Sequence, residues 1–229
     1  MTGRLIAAID TPELPRAQAL VRAVTPHCGL IKLGLEFFLR HGPEGLRAVA
    51  QGADVFLDLK LFDIPNTVAG AVRALLPLEP KLLTIHAGGG AKMIAAAAEA
   101  AAQSKAKRPK ILAVTVLTSF DAAGLEETGI AGGTAKQVLR LAHLALTAGA
   151  DGLVCSPHET ALLRDAFGQK PMLVVPGIRP AGAALGDQAR VMTPEQAVAA
   201  GADYIVVGRP ITGAADPGEA AAAIAAAIR

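Results

Sequence analysis

The chain has 229 residues, 52% of them hydrophobic and only 3% aromatic, with a formal net charge of +2. This length suits one large α/β core, and the small net charge argues against a broad nucleic-acid surface. Two distant cysteines, Cys28 and Cys155, with no C-x-x-C spacing, argue against a disulfide framework and fit a reducing compartment. The opening MTGRLIAAID lacks the long apolar run of a signal peptide, and the Ala-rich stretches at 95–102 and 220–227 are too short to span a bilayer. A soluble, cytoplasmic protein with no membrane partner is therefore expected.

Short apolar runs recur along the chain, and each leads into a helical stretch. Strands are predicted at 5–9, 30–35, 55–61, 82–86, 111–117, 152–155, 172–175 and 204–207, from their length and their Val, Ile and Leu content. The helices fall at about 13–25, 43–51, 66–76, 91–103, 134–148, 158–166, 194–200 and 216–228. Thr193-Pro194-Glu195-Gln196 reads as a capping box with Pro at the first helical position, and Asp216-Pro217-Gly218-Glu219 repeats the arrangement with an acidic cap. Gly149 and Gly201, each within Ala-Gly-Ala-Asp, are candidate left-handed helix ends. The basic run Lys105, Lys107, Arg108 and Lys110 reads as a solvated loop. Eight β-then-α units with no second pattern predict a single (β/α)₈ TIM barrel domain over 1–229. A doubly wound open sheet is the alternative, but no G-x-G-x-x-G follows the first strand. The long excursions are 119–133 and 179–191, after strands five and seven.

A barrel of this kind places its chemistry at the C-terminal strand ends. Asp10 ends strand one, Lys32 lies in strand two, and Asp58 and Lys60 lie near the end of strand three with Asp63 just beyond. Side chains alternate along a strand, so Asp58 and Lys60 share a face. Asp63 can turn back to the same mouth or toward a neighbouring subunit. Charges inside a barrel are costly unless paired, and an Asp-Lys-Asp-Lys array neutralises itself. A structural ion-pair network is the plain alternative to a catalytic one. After strands seven and eight, Pro176-Gly177-Ile178-Arg179 and Val207-Gly208-Arg209-Pro210 each offer close backbone and a guanidinium, which suits a phosphate. The five histidines show no metal spacing, Ser156 lacks a nucleophile-elbow context, and Gly88-Gly89-Gly90 lacks the Lys-Ser/Thr of a P-loop.

The stretch Asp58-Leu59-Lys60-Leu61-Phe62-Asp63-Ile64-Pro65-Asn66-Thr67 closely resembles the signature of the orotidine 5′-phosphate decarboxylase family. Ala8-Ile9-Asp10, Ile31-Lys32-Leu33-Gly34, Thr84-Ile85-His86-Ala87 and Val114-Thr115-Val116-Leu117-Thr118-Ser119 extend the likeness in order. Pro176-Gly177-Ile178-Arg179-Pro180, Gly186-Asp187-Gln188, Met192-Thr193-Pro194 and Val207-Gly208-Arg209-Pro210 resemble its bacterial branch. Phe62 stands where a His is frequent.

The resemblance implies decarboxylation of orotidine 5′-monophosphate to uridine 5′-monophosphate, in a homodimer with shared active sites and with neither cofactor nor metal. Lys60 would deliver a proton to C6, and Asp58 would sit beside the substrate carboxylate. Asp63, with Thr67, would reach across a dimer interface into the partner's site, and Ile64 would bind substrate. Lys32 and Asp10 would hold the ribose hydroxyls and complete the charge network. Thr118 would lie near the pyrimidine, and Arg179, Gln188, Gly208 and Arg209 would grip the phosphate, with 179–188 as a closing lid. The competing readings are a Mg²⁺-dependent sugar-phosphate barrel, such as a hexulose-phosphate synthase or a keto-sugar-phosphate decarboxylase, and a non-catalytic phosphate-binding barrel.

Overall fold

Strands fed alternately by residues that suit two different packing partners make a barrel here. The computed structural model describes residues 3–180 and 192–228. Its elements run β1 (Leu5–Ala8), α1 (Leu14–Val24), β2 (Leu30–Gly34), α2 (Leu35–Ala50), β3 (Val55–Leu61), α3 (Pro65–Leu75), β4 (Leu82–His86) and α4 (Gly90–Ala102). They continue β5 (Lys110–Val114), α5 (Ala122–Glu127), α6 (Gly133–Thr147), β6 (Gly152–Val154), α7 (Thr160–Phe167), β7 (Met172–Val175), α8 (Pro194–Ala199), β8 (Tyr204–Val207), α9 (Arg209–Thr212) and α10 (Pro217–Ala227). Among the described residues, eight parallel strands close in chain order, with β1 paired to both β2 and β8.

The period of two along each strand sorts the core into two sets. Ile6, Ala8, Leu30, Phe56, Leu82, Leu112, Val174 and Val206 fill the inside of the barrel. Leu5, Ile31, Leu57, Leu83, Ile111, Leu153, Leu173 and Ile205 alternate with them and belong to the larger core that includes the helices. Aliphatic side chains on both strand faces are the reason the composition is rich in Val, Ile, Leu and Ala and poor in aromatics.

The predicted helix punctuation holds. Thr193 accepts from the Gln196 N–H while the Gln196 side chain accepts from the Thr193 N–H, and Asp216 accepts from Glu219 N–H at 3.0 Å. Gly149 and Gly201 take φ of 99° and 105°. No helix among the described residues is long and apolar enough to cross a membrane.

Several boundaries differ from the sequence reading. β5 ends at Val114 rather than at 117, because its neighbour β6 is only three residues long. Thr115 instead directs both its N–H and its hydroxyl to the Val154 carbonyl, at 3.2 and 3.1 Å. Helix α2 begins at Leu35, well before the predicted 43–51, and is broken at Gly42, whose φ of 60° and ψ of −161° precede Pro43. The 119–133 excursion contains α5, started by Asp121 accepting from Gly124 N–H at 2.8 Å. In the basic run at 105–110, Lys105, Lys107 and Lys110 are exposed, and Arg108 and Lys110 pair with Asp151 at 2.8 and 3.4 Å.

Candidate active site

The barrel's C-terminal mouth collects charge from its first three strands and a hydroxyl from its fourth. Lys32 on β2 lies between two carboxylates, 3.2 Å from Asp10 Oδ1 and 3.6 Å from Asp58 Oδ2. Lys60 Nζ donates to both carboxylate oxygens of Asp58, each at 2.9 Å. Thr84 on β4 donates its hydroxyl to Asp58 Oδ1 at 2.9 Å. Asp58 is the buried centre of this array, with its side chain 13% exposed, against 40% for Lys60.

Burial alone would raise the Asp58 carboxyl. The ammonium groups of Lys32 and Lys60, with the hydrogen bonds from Lys60 and Thr84, overcome that penalty and hold it below the usual carboxylate range. An ionised carboxylate at this depth is therefore tolerated because two cations and a hydroxyl face it.

Local backbone geometry sets the pair. Simple alternation carries Phe56 and Asp58 inward, and then the β3–β4 register shifts between Leu57 and Leu61. Lys60 sits in this irregularity with φ of 49°, a left-handed conformation that is costly for any residue with a Cβ. Its side chain reaches back to Asp58 from there, so the shared face predicted from spacing is achieved by a bulge and not by a regular pleat.

The three charges predicted at and just beyond strand three do not all meet. Asp63 is exposed; its Oδ1 accepts from the Ile64 N–H at 2.6 Å, and it forms no ion pair among the described residues. Ile64 and Thr67 are exposed beside it. Asp10 takes the fourth place in the array instead.

Across the mouth, a cavity of about 510 Å³ joins the array to the ends of β7 and β8. Lys32, Asp58 and Lys60 line one side, Arg179, Gly208 and Arg209 another, and Thr118 contributes a hydroxyl. Phe56, Val114, Val154 and Val206 give it an apolar floor. Arg179 is buried and donates to its own neighbour's carbonyl, Ile178 O, at 2.9 Å. A bridge between Ile178 and Met192 brings together the two ends of the chain that flank the predicted lid. Gln188, assigned to the phosphate on sequence, lies outside the described residues.

The remaining candidates are quieter. His86 Nδ1 accepts from Gly88 N–H at 3.1 Å, and Phe62 stacks on its ring at 5.3 Å. Burial, with the nearby Lys60 ammonium, pushes the His86 pKa down, which favours a neutral ring. Cys155 lines the cavity but burial pushes its thiol up to about 12, so it is an inert wall. No group of three or more His, Cys, Asp or Glu among the described residues is placed to hold a metal ion. Sequence reasoning passed over Thr84 as a site residue. Its signals are its place in the family-like stretch Thr84-Ile85-His86-Ala87 and a hydroxyl in the apolar run Leu82–His86 beside the strand carrying the charges.

A sequence model of the "Orotidine 5'-phosphate decarboxylase / HUMPS family" matches residues 3–224. A curated orotidine 5′-phosphate decarboxylase from Gluconobacter oxydans (strain 621H) is 58% identical over 224 residues, covering 96% of this chain and 95% of that protein. One from Anaeromyxobacter sp. (strain K) is 56% identical over 226 residues, covering 98% of both. Among solved structures, orotidine 5′-phosphate decarboxylase from Lactobacillus acidophilus superposes with a TM-score of 0.88 at 37% identity, covering 99% of each chain.

Proposed function

The chain belongs to the orotidine 5′-phosphate decarboxylase / HUMPS family, and we propose that it converts orotidine 5′-monophosphate to uridine 5′-monophosphate and CO₂, the last step of de novo uridine 5′-monophosphate synthesis. The observation that carries this reading is the Asp58–Lys60 pair at the edge of a cavity whose far side bears two arginines and close backbone.

Breaking the C6–carboxylate bond leaves an electron pair in the plane of the pyrimidine, where the ring's π system cannot take it up. Stabilisation must then come from fixed charge. Lys60 supplies an ammonium, and transfer of its proton to C6 completes the product. Asp58 faces the substrate carboxylate and disfavours it relative to a transition state in which that charge is leaving as CO₂. Lys32 keeps Asp58 ionised and, with Asp10, binds the ribose hydroxyls. Chemistry of this kind needs neither an electron-sink cofactor nor a metal.

Arg179, Gly208 and Arg209, with Gln188, take the phosphate. Guanidinium groups and backbone N–H groups match a dianion, and binding energy gained far from C6 can drive orientation of the reacting ring; the lid expected at 179–188 falls mostly outside the described residues. Thr118 lies against the pyrimidine. Ile64, Asp63 and Thr67 act in the site of a partner copy, which would make the enzyme a homodimer with shared sites. Two features support that reading: Asp63 is left outside its own chain's array, and the exposed large apolar side chains among the described residues are Leu35, Leu39, Phe62 and Ile64, on the adjoining β2–α2 and β3–α3 units. Turnover of orotidine 5′-monophosphate by the purified protein tests the assignment.

A further inference from the structure

Thr84 is fully buried, yet its hydroxyl makes contacts on both sides. It accepts a hydrogen bond from the Lys60 backbone N–H at 2.9 Å and donates one to Asp58 Oδ1 at 2.9 Å. Both partners belong to the pair that the proposed reaction uses. The strand irregularity explains why a side chain is needed here. Leu57 pairs with Leu83 and Leu61 with Ile85, so Asp58, Leu59 and Lys60 all lie against the single residue Thr84. A regular ladder bond is thereby lost, and a buried N–H left without an acceptor is costly.

We propose that Thr84 is a positioning residue for the reaction: its hydroxyl clamps the backbone of Lys60 and the carboxylate of Asp58 together, fixing the left-handed bend that aims the ammonium. The clamp works in two ways. Accepting from the Lys60 amide supports a φ of 49° that a lysine does not adopt readily. Donating to Oδ1 sets the rotation of the Asp58 carboxylate, whose two oxygens both receive the Lys60 ammonium. Displacement of that ammonium by a fraction of an ångström would cost transition-state stabilisation without removing any group that binds the nucleotide.

The inference rests on the decarboxylase reading and is tested apart from it. Thr84→Val keeps the branched shape and removes the hydroxyl, Thr84→Ala removes it with less bulk, and Thr84→Ser restores it. With orotidine 5′-monophosphate, kcat is expected to fall about 10- to 100-fold in the Val and Ala variants, the range for losing hydrogen bonds to a charged pair. Uridine 5′-monophosphate affinity and KM should stay within about threefold of wild type, and the Ser variant should recover most of kcat. An undiminished kcat in the Val or Ala variant, or a Ser variant as slow as Val, would overturn the role of Thr84 while leaving the decarboxylase reading intact. Absence of turnover in the wild-type protein would instead overturn that reading, and this inference with it.

Discussion

Lys60 Nζ stands 2.9 Å from each carboxylate oxygen of Asp58. An ammonium shared evenly by two oxygens is centred on its partner, and here it is also placed by a strained backbone. Several consequences can be measured.

Replacing Lys60 removes the proposed proton donor and leaves Lys32 to neutralise Asp58. Lys60→Ala should fold, bind uridine 5′-monophosphate, and lose at least about ten-thousandfold in kcat, since proton transfer and fixed charge fail together. Lys60→Gly should be equally inactive but more stable than Lys60→Ala by about 1 kcal/mol, because glycine adopts the left-handed backbone without strain. Urea denaturation of the two variants checks the second point, and equal stability would argue against strain at this residue.

Asp58 links the site to acid stability. Its pKa is held below the unfolded value despite burial, by Lys32 and Lys60 and by hydrogen bonds from Lys60 and Thr84. The stabilisation is complete above the unfolded carboxylate value near pH 4 and is lost as pH falls through the lower folded value. Asp58→Asn should therefore show a shallower loss of unfolding free energy on acidification below about pH 4 than wild type. Asp151 is also depressed and remains in both proteins, so the difference between the two curves reports Asp58. Superimposable slopes would count against the ionised, paired carboxylate.

At the other end of the cavity, Arg209→Ala is expected to raise KM for orotidine 5′-monophosphate about 10- to 100-fold, the range for losing a charge-assisted hydrogen bond. The same substitution should leave turnover of orotidine, which has no phosphate, close to the wild-type rate. An equal loss with both substrates would place Arg209 outside the proposed phosphate site.

The apolar surface on α2 gives a test of assembly. Leu39 is 76% exposed in the single chain. In the proposed homodimer, Leu39→Asp should shift sedimentation from dimer toward monomer and reduce turnover at least about tenfold, since a charge buried in an apolar contact is costly and each site would lose the partner's Asp63. A wild-type monomer, or a monomeric variant with full activity, would rule out shared sites.

Much of this arrangement is legible in the amino-acid sequence. Eight apolar runs of strand length and the Gly149 and Gly201 helix ends are local signals, and local signals determine the barrel. Asp58 and Lys60 stand out because charge inside a barrel needs a reason. The register shift that turns Lys60 into the left-handed region depends on how β3 meets β4, and alternation within one strand carries no information about a neighbour. The contacts of Thr84 are hidden for the same reason, since they depend on what lies across the ladder. The early end of β5 reflects the shortness of β6, again a property of the pair. Position after the strand leaves Asp63 open to the same mouth or to a neighbouring subunit, and the sequence alone does not choose; the chain turns outward after Leu61.

The most direct test is an ultraviolet assay of the purified protein with orotidine 5′-monophosphate in excess chelator. Loss of the substrate band with formation of uridine 5′-monophosphate is the expected result. No turnover there, together with Mg²⁺-dependent turnover of a keto-sugar phosphate, would contradict it and leave the Asp58–Lys60 pair serving a different phosphorylated substrate.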